Sequence, residues 1–233
     1  MDGKRFVIGD IHGCNGHLKI MLSLLGRLVR PEDRVIFLGD YIDRGPDSRA
    51  VVDLLLEFSR DRDCVFLKGN HDARFVGWRE KTATLHEGGI HTINSYKVDG
   101  VVQVPEEHLD FFRNLLPFHE EEDFLCVHAG FDPNKGPPTS QPEQILLNIR
   151  EKFFYADKRW DKLIVFGHSP GLNAYSTVMP YDMVQSNNIL GIDTGAVFDG
   201  RLTCYEIRSR EFHQVFMVNK QWKIVKFKLG DFR

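Results

Sequence analysis

Short runs of mostly apolar residues, each running into a glycine or alanine and a polar cluster, punctuate the chain at Arg5–Ile8, Arg34–Leu38, Cys64–Leu67, Phe124–Val127 and Leu163–Phe166. They are too short for helices and rich in β-branched and aromatic residues, which predicts buried strands. Between the first three the apolar spacing changes to that of a helix. Leu18, Met21, Leu22, Leu25 and Leu28 recur within His17–Val29, and Val51, Val52, Leu55 and Leu56 within Ser48–Phe58. The order strand, helix, strand, helix, strand predicts a parallel sheet.

After Asn70 the pattern weakens. Residues 73–116 show no strong alternation and predict an excursion over one face of the sheet, overhanging the strand ends, with a helix over Glu106–Leu115. Proline and glycine mark Asn134–Pro142 as a loop, Gln141–Phe154 reads as a helix, and the alternation from Ile189 onward predicts an antiparallel end with lysines on an exposed edge. A single domain over residues 1–233 is the expectation.

Composition narrows the classes. Hydrophobic residues make up 42% and charged residues 27% of 233, with a net charge of −3, so a packed core is affordable and extended nucleic-acid binding has no electrostatic support. The apolar run near the N-terminus is too short for a signal peptide, and nothing approaches a membrane-spanning length. A cytoplasmic protein with no membrane partner is expected. Cys14, Cys64, Cys126 and Cys204 are far apart, which argues against a zinc knuckle or disulfide framework.

The chemistry collects at the ends of the predicted strands. "GDIHG" places Asp10 and His12 after the first run, "GDYIDRG" Asp40, Asp43 and Arg44 after the second, and "KGNHD" Asn70 and His71 after the third. His128 and His168 follow the fourth and fifth. Ligands of α/β sheets bind at the carboxyl ends of strands, so these side chains converge on one rim. Several carboxylates there would raise one another's pKa unless a cation compensated. Mixed carboxylate and imidazole donors suit manganese, iron or zinc better than calcium or magnesium, and about six donors are too many for one tetrahedral ion. Two divalent ions are therefore expected, manganese first, with iron or zinc as alternatives. Asn70 and His71, adjacent in an extended chain, would face opposite sides.

The ordered set "GDIHG", "GDYIDRG", "GNHD", "VHAG" and "VFGHSP" resembles the calcineurin-like PPP-type metallophosphoesterases, in particular the bacterial and phage serine/threonine protein phosphatases, from residue 5 to about 207. The resemblance implies an α/β sandwich of two mixed β-sheets flanked by helices. It implies that Asp10 and His12 bind the first metal, that Asp40 bridges, and that Asn70, His128 and His168 complete the second. Arg44, and by a looser motif Arg150 of "NIREKF", correspond to phosphate-gripping arginines, and Asp43 with His71 to a catalytic acid–imidazole pair. The implied reaction is hydrolysis of phosphomonoesters, phosphoserine or phosphothreonine in proteins or a small phosphoester, by a hydroxide bridging the ions. A symmetrical dinucleoside tetraphosphatase ranks second, because that branch usually carries a neutral residue where Asp43 stands and a longer stretch before its last metal histidine. A non-catalytic scaffold of the same fold ranks third, since no ligand is missing.

Overall fold

The computed structural model describes residues 3–85, 88–170, 181–182 and 186–228. Strand β1 (Arg5–Ile8), helix α1 (Asn15–Leu28), β2 (Arg34–Phe37), α2 (Ser48–Phe58) and β3 (Asp63–Phe66) follow in the predicted order, and β1, β2 and β3 pair in parallel. Then come α3 (Asn70–Arg79), α4 (Gly89–Ser95), the hairpin of β4 (Lys97–Val98) and β5 (Val101–Val102), and α5 (Glu106–Arg113). β6 (Phe118–Glu120), β7 (Phe124–Val127), α6 (Glu143–Asn148), α7 (Glu151–Phe154), β8 (Leu163–Phe166), β9 (Tyr181–Asp182) and β10 (Ile189–Gly191) precede an antiparallel end of β11 (Leu202–Glu206), β12 (Glu211–Val218) and β13 (Gln221–Lys228).

Apart from the β4–β5 hairpin, which stands by itself, these strands form two mixed sheets, in the orders β13-β12-β11-β1-β2-β3 and β6-β7-β8-β10-β9. The five runs that read alike in sequence are thus divided between sheets. The period-two alternation of a strand explains their continuous apolarity. Val7, Ile36, Leu38, Phe124, Cys126 and Val165 share the core between the sheets. Their neighbours Phe6, Ile8, Val35 and Phe37 pack outward against α1 and α2, while Leu125, Val127, Ile164 and Phe166 pack against the side of α6 and α7. A strand covered on both faces has no position left for a polar residue until it ends.

Two expectations are corrected. The helix read over Gln141–Phe154 is two short helices, broken where Ile149 is extended (φ −64°, ψ 146°) and Arg150 takes φ −133°, ψ −111°; the break carries the Arg150 side chain to Ser169, whose Oγ it reaches at 2.8 Å. The stretch before Glu106 is more regular than its pattern suggested. α3 buries His71 and Asp72 beside Phe75, and α4 buries Gly89 and Thr92 beside Ile93, so polar and small residues hide the helical period. Residues 86 and 87 of the excursion lie outside the described residues. The exposed Lys223, Lys226 and Lys228 do lie on β13, at the sheet edge. No described helix is long and apolar enough to cross a membrane. The four cysteines are free, and burial pushes the Cys14 thiol up to about 12, keeping it protonated.

Candidate metal centre

Hydrogen bonds across the seam tie the strand ends of the two sheets together. The His168 amide, after β8, donates to Oδ1 and Oδ2 of Asp10, after β1, at 3.2 and 3.0 Å. His128, after β7, donates from Nδ1 to the carbonyl of Leu38, after β2, at 2.9 Å. The turns that allow this are strained. His12 (φ 47°), Asp40 (51°), Asp43 (71°), Arg44 (66°) and His168 (64°) all have left-handed backbone, a conformation costing on the order of 1 kcal/mol or more each and concentrated at functional sites.

Two glycines admit the carboxylates. A Cβ on Gly69 would stand 2.1 Å from Oδ1 of Asp40, and one on Gly167 2.1 Å from Oδ1 of Asp10. Asp72 then fixes the Asp40 turn: its Oδ2 accepts the amides of Asp40 and Gly69 at 2.8 and 2.9 Å, and its Oδ1 accepts that of Tyr41 at 3.1 Å.

Asp40 divides its two oxygens. Oδ2 lies 3.4 Å from Nε2 of His12 and Oδ1 3.5 Å from Nε2 of His128. Ligand atoms of His12, Asp40 and His71 form one cluster within 4.8 Å, and those of Asp40, His128 and His168 a second. Nδ1 of His12 donates to the Ile42 carbonyl at 2.9 Å, as Nδ1 of His128 does to Leu38. Each ring therefore turns its Nε2 lone pair inward, the tautomer a metal ligand needs. The Asn70 Oδ1 stands 3.2 Å from the His128 Nε2, so two acceptors face the same point.

The electrostatics agree with a cation site. Burial lowers His12 to about 4 and His168 to about 2, and lowers His128 as well, which keeps these rings neutral. Burial opposes ionisation of Asp40, yet in acid, where the surrounding rings take up protons, His128 and His12 foremost hold its carboxyl below the ordinary range. Burial, then the nearby Asp193 and Asp40, push Asp10 well up. Neutral imidazoles, an ionised shared carboxylate and a repelled second one are a donor set that divalent cations fit.

Around this core stand the remaining predicted residues. Nη1 of Arg44 donates to Nε2 of His12 at 2.6 Å. Nδ1 of His71 donates to Oδ2 of Asp43 at 2.7 Å, and the His71 ring meets that of His12 edge-on at 4.8 Å. Arg150, exposed, leans in through Ser169 beside His168. All ten sequence-predicted side chains thus lie on this rim, with one geometric correction: Asn70 and His71 open helix α3, so they diverge by the turn of a helix and not across an extended strand. Asp10 enters neither three-residue cluster.

Three contributors escaped the sequence reading. Asp72 was overlooked behind His71. Thr92 of α4 accepts from the Asp43 amide at 2.9 Å and donates to Asp43 Oδ1 at 2.5 Å, a contact no local pattern announces. Asp193 is buried beside Asp10 and could have been found, because "ILGIDTG" repeats the scheme of an apolar run leading to an acid.

Residues 4–194 match the profile of the calcineurin-like phosphoesterases, and the chain belongs to that family, whose members generally hold two divalent metals. It is a metallophosphoesterase and a hydrolase by that membership. A protein named bis(5'-nucleosyl)-tetraphosphatase PrpE, asymmetrical, from Oceanobacillus iheyensis is 25% identical over 235 residues, 90% of either chain. A symmetrical bis(5'-nucleosyl)-tetraphosphatase from Nitrosomonas europaea is 31% identical over 132 residues, 55% of this chain and 45% of its own. In fold, the crystal structure of a candidate diadenosine tetraphosphatase has a TM-score of 0.67 at 19% identity, covering 99% of this chain and 96% of that one. A serine/threonine phosphatase from Saccharomyces cerevisiae has 0.56 at 14%, covering 99% and 81%.

Proposed function

We propose that this chain is a two-metal hydrolase of dinucleoside tetraphosphates that cuts the phosphate chain asymmetrically. The observation that carries the chemistry is Asp40, which turns one oxygen to His12 and the other to His128 and so joins two donor clusters. The substrate class rests on likeness along 90% of both chains to a relative named for that asymmetrical activity. The phosphoprotein reading is displaced. Its rank above a tetraphosphatase stood on Asp43 and on the short stretch before His168, but the protein phosphatase of this fold is similar at 14% identity, which shows architecture alone, whereas the relative named a tetraphosphatase is 25% identical in sequence over 90% of both chains.

Asp10, His12, Asp40, Asn70, His128 and His168 would hold the ions, which supply Lewis-acid activation of water and of a phosphoryl oxygen. Arg44 and Arg150 bind phosphate oxygens through their guanidinium forks and offset the charge that builds there. The carbonyls of Ile42 and Leu38 keep two ligand rings in register. His71 differs from those rings in donating its Nδ1 hydrogen to a carboxylate, Asp43, where they donate to a carbonyl. His71 is accordingly the proton donor to the departing phosphate, with Asp43 orienting it.

Chromatography of the products from diadenosine tetraphosphate tests this reading. The expected pair is AMP with ATP. Two ADP would mark symmetrical cleavage, and an intact nucleotide alongside rapid dephosphorylation of a phosphoserine peptide would return the protein phosphatase.

A further inference from the structure

Phe198 exposes 51% of its surface on the loop between β10 and β11, although residues 192–196 of the same loop are buried. The loop is tightly tied. The Gly195 amide donates to Oδ1 of Asp193 at 3.1 Å, the amides of Phe198 and Gly200 both donate to the Gly195 carbonyl at 2.8 and 3.0 Å, and the Arg201 amide donates to the Thr194 carbonyl at 3.0 Å. A large ring is therefore held toward solvent by a turn that has no slack to fold it away. Its neighbour is Arg44, whose guanidinium carbon lies 5.5 Å from the ring centroid and whose Nη1 reaches the ligand His12. One guanidinium separates the exposed ring from the metal centre.

We propose that Phe198 is the platform on which a nucleobase of the substrate stacks while a phosphate of the same nucleotide lies in the Arg44 fork; this rests on the dinucleoside reading above. A base is joined to its phosphate by a single ribose, so a base follows naturally onto an aromatic ring beside the arginine. Stacking on an aromatic face tolerates any base, which suits a site that recognises nucleotides by their phosphates. The fixed turn removes the ordering cost that a loose aromatic would carry into binding.

The rival role is purely internal, with Phe198 steadying Arg44 through the cation–π contact. Kinetics of Phe198→Ala and Phe198→Trp on diadenosine tetraphosphate and on inorganic tripolyphosphate separate the two. The platform predicts that Phe198→Ala lowers kcat/KM on the dinucleotide relative to tripolyphosphate by about tenfold, chiefly through KM, and that Phe198→Trp restores the ratio. Equal losses on both substrates would overturn it and leave only the steadying role. Calorimetric binding of ATP and of tripolyphosphate to metal-loaded protein supplies an arm independent of turnover. A preference for ATP that disappears in Phe198→Ala sustains the platform even if dinucleotide cleavage fails, and a preference unaffected by the substitution refutes it even if cleavage succeeds.

Discussion

His71 and Asp43 are joined by a 2.7 Å hydrogen bond from Nδ1 to Oδ2, and the other oxygen of Asp43 is held by the Thr92 hydroxyl. The pair is buried and its acid is clamped from an element that sequence pattern did not reveal. If His71 donates the leaving-group proton, its removal matters most where the leaving oxygen is most basic. His71→Asn should slow hydrolysis of glycerol phosphate by roughly a hundredfold or more and that of 4-nitrophenyl phosphate much less. Equal slowing with both metals bound would assign His71 to positioning. Thr92→Val should lose roughly tenfold to a hundredfold in kcat/KM, since a hydrogen bond to a charged group contributes about 1.5–3 kcal/mol.

The glycines beside the carboxylates make a second test. Gly167→Ala places a Cβ where Oδ1 of Asp10 stands, and Gly69→Ala does the same to Asp40. Both should weaken manganese binding measured by calorimetry, Gly69→Ala more, because Asp40 belongs to both clusters. Gly100→Ala is the control. Its Cβ would meet nothing within 4 Å but its φ is +80°, so it should lower stability by about 1 kcal/mol and leave metal affinity unchanged.

Arg44 is held by Gly88, whose carbonyl accepts the Arg44 amide at 3.2 Å and whose Cβ, if present, would stand 2.9 Å from Arg44 Cγ. Arg44→Ala should lose roughly tenfold to a hundredfold in kcat/KM by removing a charge-assisted donor of about 1.5–3 kcal/mol. Gly88→Ala should reproduce part of that loss through the displaced side chain. Full activity in both would place Arg44 outside the phosphate site.

Burial, with Asp40 adding to it, pushes Asp193 from 3.8 to about 7. In chelated protein this carboxyl's contribution to stability is complete below 3.8 and is lost as pH rises to about 7, because across that window the folded chain keeps a proton the unfolded chain has released. Burial acts oppositely at His12, lowered from 6.5 to about 4, whose contribution is present above 6.5 and lost as pH falls toward 4. Asp193→Asn removes only the first. Its melting temperature relative to the parent should therefore climb as pH rises through the Asp193 window, and a flat difference would show that Asp193 ionises normally.

The strands and the first two helices were legible because burial on both faces, or on one helical stripe, leaves a direct trace in apolar spacing. The ligands were legible because each interrupts such a run at its end. What stayed hidden depends on contacts distant in sequence. Thr92 meets Asp43 across 49 residues, and on the buried faces of α3 and α4 the site residues His71, Asp72 and Thr92 interrupt Phe75 and Ile93, so no continuous apolar stripe marks them. The split near Arg150 follows from the reach to Ser169, nineteen residues on. The preference for one phosphoester over another rested on Asp43 and on the short stretch before His168, and neither a residue that organises a proton donor nor the length of a loop reports which leaving group receives the proton.

In the proposed centre one carboxylate, Asp40, joins two metal sites. Electron paramagnetic resonance of protein loaded with manganese tests it directly. Two ions per chain are expected, with an exchange-coupled spectrum that collapses to an uncoupled one in Asp40→Asn. A saturated parent protein showing only an isolated, uncoupled manganese signal would contradict it.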